Sequence, residues 1–223
     1  MGLARRLAAC AVLLLSTPVV ATFIQVPMEQ QVLDALNAAR TDPAHYASGP
    51  LKTYRSWFKG MIVAIPGSRE MVRTAEGVPA VDEAIADVGG LSAMPAATAT
   101  PVLKAAAADL VADQSRTGRT GHAGSDGSSP GDRVTRRGGG PYTAEVIAYG
   151  SIDGVDAIRQ LIVDDGVDDR GHRTIIFSPE LQYAGVACGT HPEFRTMCVV
   201  DLGMNPDGTL PRALIGKSAA KPN

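Results

Sequence analysis

Residues 170–203, RGHRTIIFSPELQYAGVACGTHPEFRTMCVVDLG, carry the reading that decides the fold. AGVAC (184–188) and MCVVDLG (197–203) read as two short strands around the turn Gly189-Thr190-His191-Pro192-Glu193. Pairing them symmetrically about Glu193 sets Cys188 directly opposite Cys198. Opposed residues on antiparallel strands lie about 4.5 to 5.5 Å apart at Cα, a gap that a disulfide spans. Just ahead, Asp168 or Asp169 is expected to cap a helix that carries His172, Ile175 and Ile176 at i, i+3 and i+4.

Working outward, Thr143 to Tyr149 alternates as a strand, with Glu145, Ile147 and Tyr149 on one face and Val146 and Ala148 on the other. Asp153 caps a helix running to about Asp165. Thr100-Pro101 opens a longer helix through Ser115, whose stripe is Leu103, Ala106, Ala107, Leu110, Val111 and Gln114, and Gly118 ends it. Ser129-Pro130 starts one short turn through Arg136. At the other end, Val32, Leu33, Leu36 and Ala39 recur on one face of a helix from Met28 to Arg40. Asp42-Pro43 stops it and caps a second, shorter turn. Helices interleaved with antiparallel strands, without a long parallel βαβ run, give a layered α+β domain.

Residues 49–99 are broken by prolines and glycines. Only Pro79 to Val88 reads there as an amphipathic helix, and Ala93 to Thr100 reads as a connector. The segment is too short and too interrupted to hold its own core, so it is expected as an elaboration packed on a domain spanning 22–223, with 205–223 as a tail.

The N-terminus has the pattern of an export signal. Arg5 and Arg6 precede the apolar run Leu7–Leu15, Ser16-Thr17-Pro18 breaks it, and Val19-Val20-Ala21 offers small residues for cleavage after Ala21. The run is shorter than the roughly 20 apolar residues that cross a bilayer, and no membrane span is expected after cleavage. Leu7-Ala8-Ala9-Cys10 lies before the apolar stretch, the wrong side for a lipid anchor. Cys10 leaves with the leader, so Cys188 and Cys198 remain in an oxidising periplasmic or extracellular setting, where a disulfide is expected over two buried free thiols.

Composition excludes some classes. The chain of 223 residues carries a net charge of −2, which gives no electrostatic reason to expect nucleic acid. Its aromatic content of 4% leaves no stacking platform for single strands. The glycine loop GHAGSDGSSPGDR lacks the Gly-Lys-Ser/Thr ending of a phosphate cradle, and no His-Glu-x-x-His or Gly-x-Ser-x-Gly motif occurs. Asp164, Asp165, Asp168 and Asp169 lack the spacing of a calcium loop. Arg133, Arg136 and Arg137 read as a solvated basic face that could meet an anionic envelope polymer. The best lead to a site is a pair of histidines: Gly121-His122 opens the glycine loop, Gly171-His172-Arg173 opens TIIFSPEL, and Glu145 lies between them.

QVLDALNAAR, GHAGSDGSSPGDRV, AEVIAYG, RGHRTIIFSPELQYAGVACG and CVVDLG, in that order, resemble the CAP superfamily: cysteine-rich secretory proteins, antigen 5 and pathogenesis-related proteins, in their secreted bacterial branch. The resemblance covers roughly residues 28–48 and 100–204. It implies a three-layer α/β/α sandwich with a central antiparallel sheet and a cleft holding two histidines and two acids. His122 matches the first histidine, His172 the second, and Glu145 the glutamate of the strand motif, although Val146 stands where the family has asparagine. For the second acid the chain offers Asp164 and Asp165; Asp164 is the match by its distance from the apolar helix face.

Imidazole nitrogens and a carboxylate suit zinc or another divalent cation, which makes His122, His172 and Glu145 candidate metal ligands. Three functions follow from such a cleft: binding of a lipid or other cell-envelope component, metal-assisted hydrolysis with Glu145 as general base, and envelope interaction without a small ligand.

Overall fold

The computed structural model describes residues 26–68 and 71–215, so the expected leader lies outside the described residues. Helix α1 (Met28–Thr41) buries Val32, Ala35, Leu36 and Ala39 along one face. Asp42 ends it and accepts a hydrogen bond from the His45 amide, capping α2 (Pro43–Tyr46) with proline at the first helical position. The chain does not stop there: it continues through a π-helical turn (Ala47–Leu51) into α3 (Lys52–Arg55). Strands β1 (Phe58–Lys59), β2 (Ile62–Ala64) and β3 (Met71–Arg73) form a small antiparallel sheet, and α4 (Val78–Gly89) follows where an amphipathic helix was expected.

The second part begins with β4 (Thr98–Ala99) and α5 (Pro101–Thr117). All six stripe residues of α5 are buried, and Gly118 closes it in the left-handed region at φ 68°, donating its amide to the Gln114 carbonyl. Thr100 occupies the capping position, but its buried hydroxyl caps nothing. Helix α6 (Pro130–Arg136) has a full capping box between Ser129 and Asp132. Then come β5 (Thr143–Tyr149), α7 (Gly154–Val163) capped by Asp153, α8 (Gly171–Ile176), β6 (Tyr183–His191), β7 (Arg195–Gly203) and α9 (Arg212–Ile215).

The main sheet has the order β4-β6-β7-β5 and is antiparallel except for β4, which runs parallel to β6. One face, with Val146, Ala148, Ala184, Val186, Val200 and Leu202, packs on the α1, α4 and α7 side. The other, with Ile147, Ala187, Met197 and Val199, packs on α5. Three layers result, an α/β/α arrangement of the α+β class. Two glycines let the layers close. A Cβ on Gly185 would lie 2.1 Å from the Leu103 and Lys104 backbone of α5, and one on Gly154 would lie 2.3 Å from the Gln31 and Val32 backbone of α1.

Residues 49–99 share this interior. Leu51, Tyr54, Val63, Val81 and Val88 belong to the same buried cluster as Leu36 and Ile158. Arg40, itself buried, clasps the far end of the chain by donating to the carbonyls of Ile176, Ser178 and Pro95.

Cys188 and Cys198 stand opposite each other in the β6–β7 register and form a disulfide. The turn is tighter than expected, because the ladder extends to His191 opposite Arg195. The cause is the buried His191 ring, whose Nδ1 accepts the amides of Glu193 and Phe194 while Nε2 meets the Arg119 carbonyl. Among the described residues no helix is long and apolar enough to cross a membrane.

Candidate functional site

His122 is placed by the loop that leaves α5. Gln114 donates to the Gly121 carbonyl, the Gly121 amide donates to the Tyr149 hydroxyl, and that hydroxyl donates back to Gln114, so the residue before His122 is held from both sides. The ring Nδ1 of His122 lies 2.9 Å from Glu145 Oε1. A carboxylate can only accept there, so in neutral imidazole the proton sits on Nδ1 and Nε2 keeps its lone pair. The His122 side chain is 51% exposed, whereas Glu145 beneath it is buried.

The second oxygen of Glu145 is held by Arg133, a guanidinium sealed inside the protein at 2.5 Å. Arg133 also donates to the carbonyls of His122 and Ser128, fixing the glycine loop over the pair. Sequence alone placed Arg133, Arg136 and Arg137 on a free basic face; instead each is paired, with Glu145, Asp126 and Asp109 respectively. Those acids are distant in sequence, so the local run of arginines gave no sign of its neutralisation.

Below Glu145 lies a residue that sequence reading took only as part of a closing strand. Asp201 is opposite Glu145 in the β5–β7 register and fully buried, its carboxyl set against that of Glu145. Burial first, and then the charge of Glu145, push its carboxyl well above the usual carboxylate range, against a smaller lowering by Arg133. The signal available was a charge in the middle of a strand whose neighbours are all apolar.

His172 is built the same way from different parts. Asp164 ends α7 in the left-handed region at φ 57°. From there its carboxylate accepts the His172 backbone amide through Oδ2 and meets the His172 Nδ1 at 2.6 Å through Oδ1. Asp164 therefore supplies the cap of α8 that was expected from Asp168 or Asp169; Asp169 reaches only the Gly171 amide. The hydrogen bond that His172 donates to Asp164 raises the pKa of His172 above its ordinary value, with burial opposing it. Asp165 turns away, accepting the amides of Ala75, Glu76 and Gly77 and so tying the start of α4 to the end of α7. Arg170 and Arg173 reinforce that joint through Glu76, Glu83 and Asp87.

The predicted residues are thus arranged as two pairs, His122 with Glu145 and His172 with Asp164. Each ring spends Nδ1 on a buried carboxylate, the outer-shell arrangement that orients a metal-binding histidine. Among the described residues no group of three or more His, Cys, Asp and Glu side chains is arranged to hold a metal ion. Glu145 accepts one hydrogen bond on each oxygen, from His122 and from Arg133, and so orients the His122 ring.

The chain matches the cysteine-rich secretory protein family, CAP, over residues 33–202, and it belongs to that family. The match runs through residues 49–99, which the sequence motifs had left uncovered. Among solved structures the chain is similar to an extracellular protein containing an SCP domain from Bacillus anthracis str. Ames, at 17% identity and a TM-score of 0.40. That similarity covers 56% of this chain and 37% of the other, so it spans little more than a third of that protein's length. No curated protein matches.

Proposed function

We propose that the chain is an exported CAP protein that binds a lipid or other component of the cell envelope at the site of His122 and His172, with a divalent ion, most suitably zinc, held by their outer nitrogens. One observation carries the reading: both imidazoles are oriented from behind by a buried carboxylate, leaving each Nε2 as the uncommitted donor. Glu145 and Asp164 act as orienting groups, and Arg133 holds Glu145 in place. A zinc ion there would supply a positive centre for an anionic or carbonyl-bearing ligand. The leader pattern and the Cys188–Cys198 disulfide support an oxidising, exported setting, periplasmic or extracellular.

Calorimetry with zinc at neutral pH tests the site. The expected result is one saturable isotherm that is lost in both His122→Ala and His172→Ala and kept in His45→Ala. Affinity should weaken as pH falls, because protons compete for the imidazoles and His172 holds its proton more tightly than a free histidine. No saturable heat, or loss in only one of the two histidine variants, would overturn a shared site. His191→Ala is no suitable control, since that ring is built into the β6–β7 turn.

A further inference from the structure

Between α5, α6 and the loop 124–128 that precedes α6 lies a cleft of about 370 Å³. Buried Leu110, Ser128 and Arg133 form its base, and exposed Arg116, Arg136 and Arg137 stand at its rim. Ion pairs hold the walls in place. Arg137, at the end of α6, reaches Asp109 on α5; Arg136 reaches Asp126 in the loop; Arg116 turns back to Asp113 of its own helix. The same Asp113 accepts the amide and the hydroxyl of Ser125, which ties the loop to α5.

The hydrogen-bonding groups of this cleft are unevenly spent. Each carboxylate oxygen of Asp109, Asp113 and Asp126 already accepts at least one hydrogen bond. A guanidinium carries five N–H donors. Among the described residues Arg116 and Arg136 each make one hydrogen bond with theirs, and Arg137 makes two. The lining therefore offers donors, and an occupant has to bring acceptors. It does not call for charge. Each rim cation already faces an acid, and the hydroxyls of Ser125 and Ser128 hold Asp113 and Asp126 below the usual carboxylate range, so both stay ionised and repel an anion.

A hydroxyl presents two lone pairs for each proton it can give, so a polyol is richer in acceptors than in donors and carries no net charge. The carbonyl of an acetamido group adds two lone pairs more. The cleft has the volume of a small-ligand site, about 300–1,000 Å³ being usual, but such sites are mostly apolar and this one is lined largely by charged and hydroxyl side chains, which disfavours an acyl chain. We infer that the cleft binds a short stretch of neutral saccharide, whose hydroxyl and acetamido oxygens accept from Arg116, Arg136 and Arg137. The exposed rim leaves it open to solvent, so a longer glycan can lie across it. Neither His122 nor His172 lines the cleft, and the inference does not depend on what they bind.

Calorimetry with tri-N-acetylchitotriose as the probe tests the site. The expected result is saturable binding that changes little with salt, because the sugar is uncharged, and that inorganic phosphate does not displace. Arg116→Met with Arg136→Met removes donors at two exposed positions. A hydrogen bond from a charged group is worth roughly tenfold in affinity, so the double variant should bind at least about tenfold more weakly. Ala112→Trp fills the cleft without removing an arginine and should abolish binding; Ala112→Met takes its place if the urea midpoint of that variant falls. No saturable heat with the trisaccharide, displacement by phosphate, or undiminished binding in either the double arginine variant or the cleft-filling one would each overturn the assignment.

Discussion

Replacing Arg133 by methionine removes the cation from the buried cluster while keeping its length. In the native protein the guanidinium faces Glu145 at 2.5 Å and gives two further hydrogen bonds of 3.0 Å to the carbonyls of His122 and Ser128. Without it, Glu145 keeps the His122 ring and its neighbour Asp201 but no cation built into the core, and Asp201 loses the one influence that lowers its pKa. Removing one partner of a buried ion pair costs about 3–5 kcal/mol, because the remaining charge is left uncompensated. The middle of that range, about 4 kcal/mol, is the expected loss. Domains of this size have roughly 5–15 kcal/mol in hand, so the variant should still fold. Urea unfolding at pH 7.5 measures the difference. Adding Glu145→Gln to Arg133→Met removes the stranded charge and should return part of the loss. A cost below about 1 kcal/mol for Arg133→Met, or a double variant weaker than the sum of its singles, would refute the electrostatic account.

Asp201→Asn tests the other half of the cluster through pH. The folded carboxyl is raised above its unfolded value of about 3.9, so the native state keeps a proton that the unfolded state releases. Its contribution is fully present below pH 3.9 and is lost, by about 1.4 kcal/mol per pH unit, as pH rises toward the folded pKa. Asparagine lacks this slope, so urea unfolding across the pH range should favour the variant increasingly above pH 4; a constant difference would count against a protonated Asp201. Reducing the Cys188–Cys198 bridge, which closes a separation of 10 residues, should lower stability by about 2–3 kcal/mol. Comparing urea midpoints with and without reductant checks this, and mass spectrometry should find the two cysteines linked in exported material.

Long, repetitive signals were legible. The α5 stripe repeats over about three turns and is buried at every position read from it, and the cysteine register follows from counting inward on two strands. Elements of two or three residues were not: β1, β2 and β3 are too short for a period of two to show between Gly60, Pro66 and Gly67. The histidines and their two acids could be named because they sit in motifs. Their roles as separate pairs could not, since Asp164 reaches His172 only from a left-handed backbone conformation that a non-glycine residue does not advertise. Arg133 and Asp201 went unrecognised for a related reason: what makes each unusual is burial beside Glu145, and burial depends on strands that meet across more than fifty residues.

The order β4-β6-β7-β5 puts the last two strands of the chain at the centre of the sheet. Until residues 183–203 are available, β5 has no neighbour, β4 has nothing to run beside, and α1 and α5 have no surface between them. Nearly the whole polypeptide must therefore emerge before any layer can close, and contacts this distant in sequence form slowly. A protein wired in this way stays threadable while it is being made. It also postpones the pairing of Cys188 with Cys198 until the final hairpin brings the two sulfurs together.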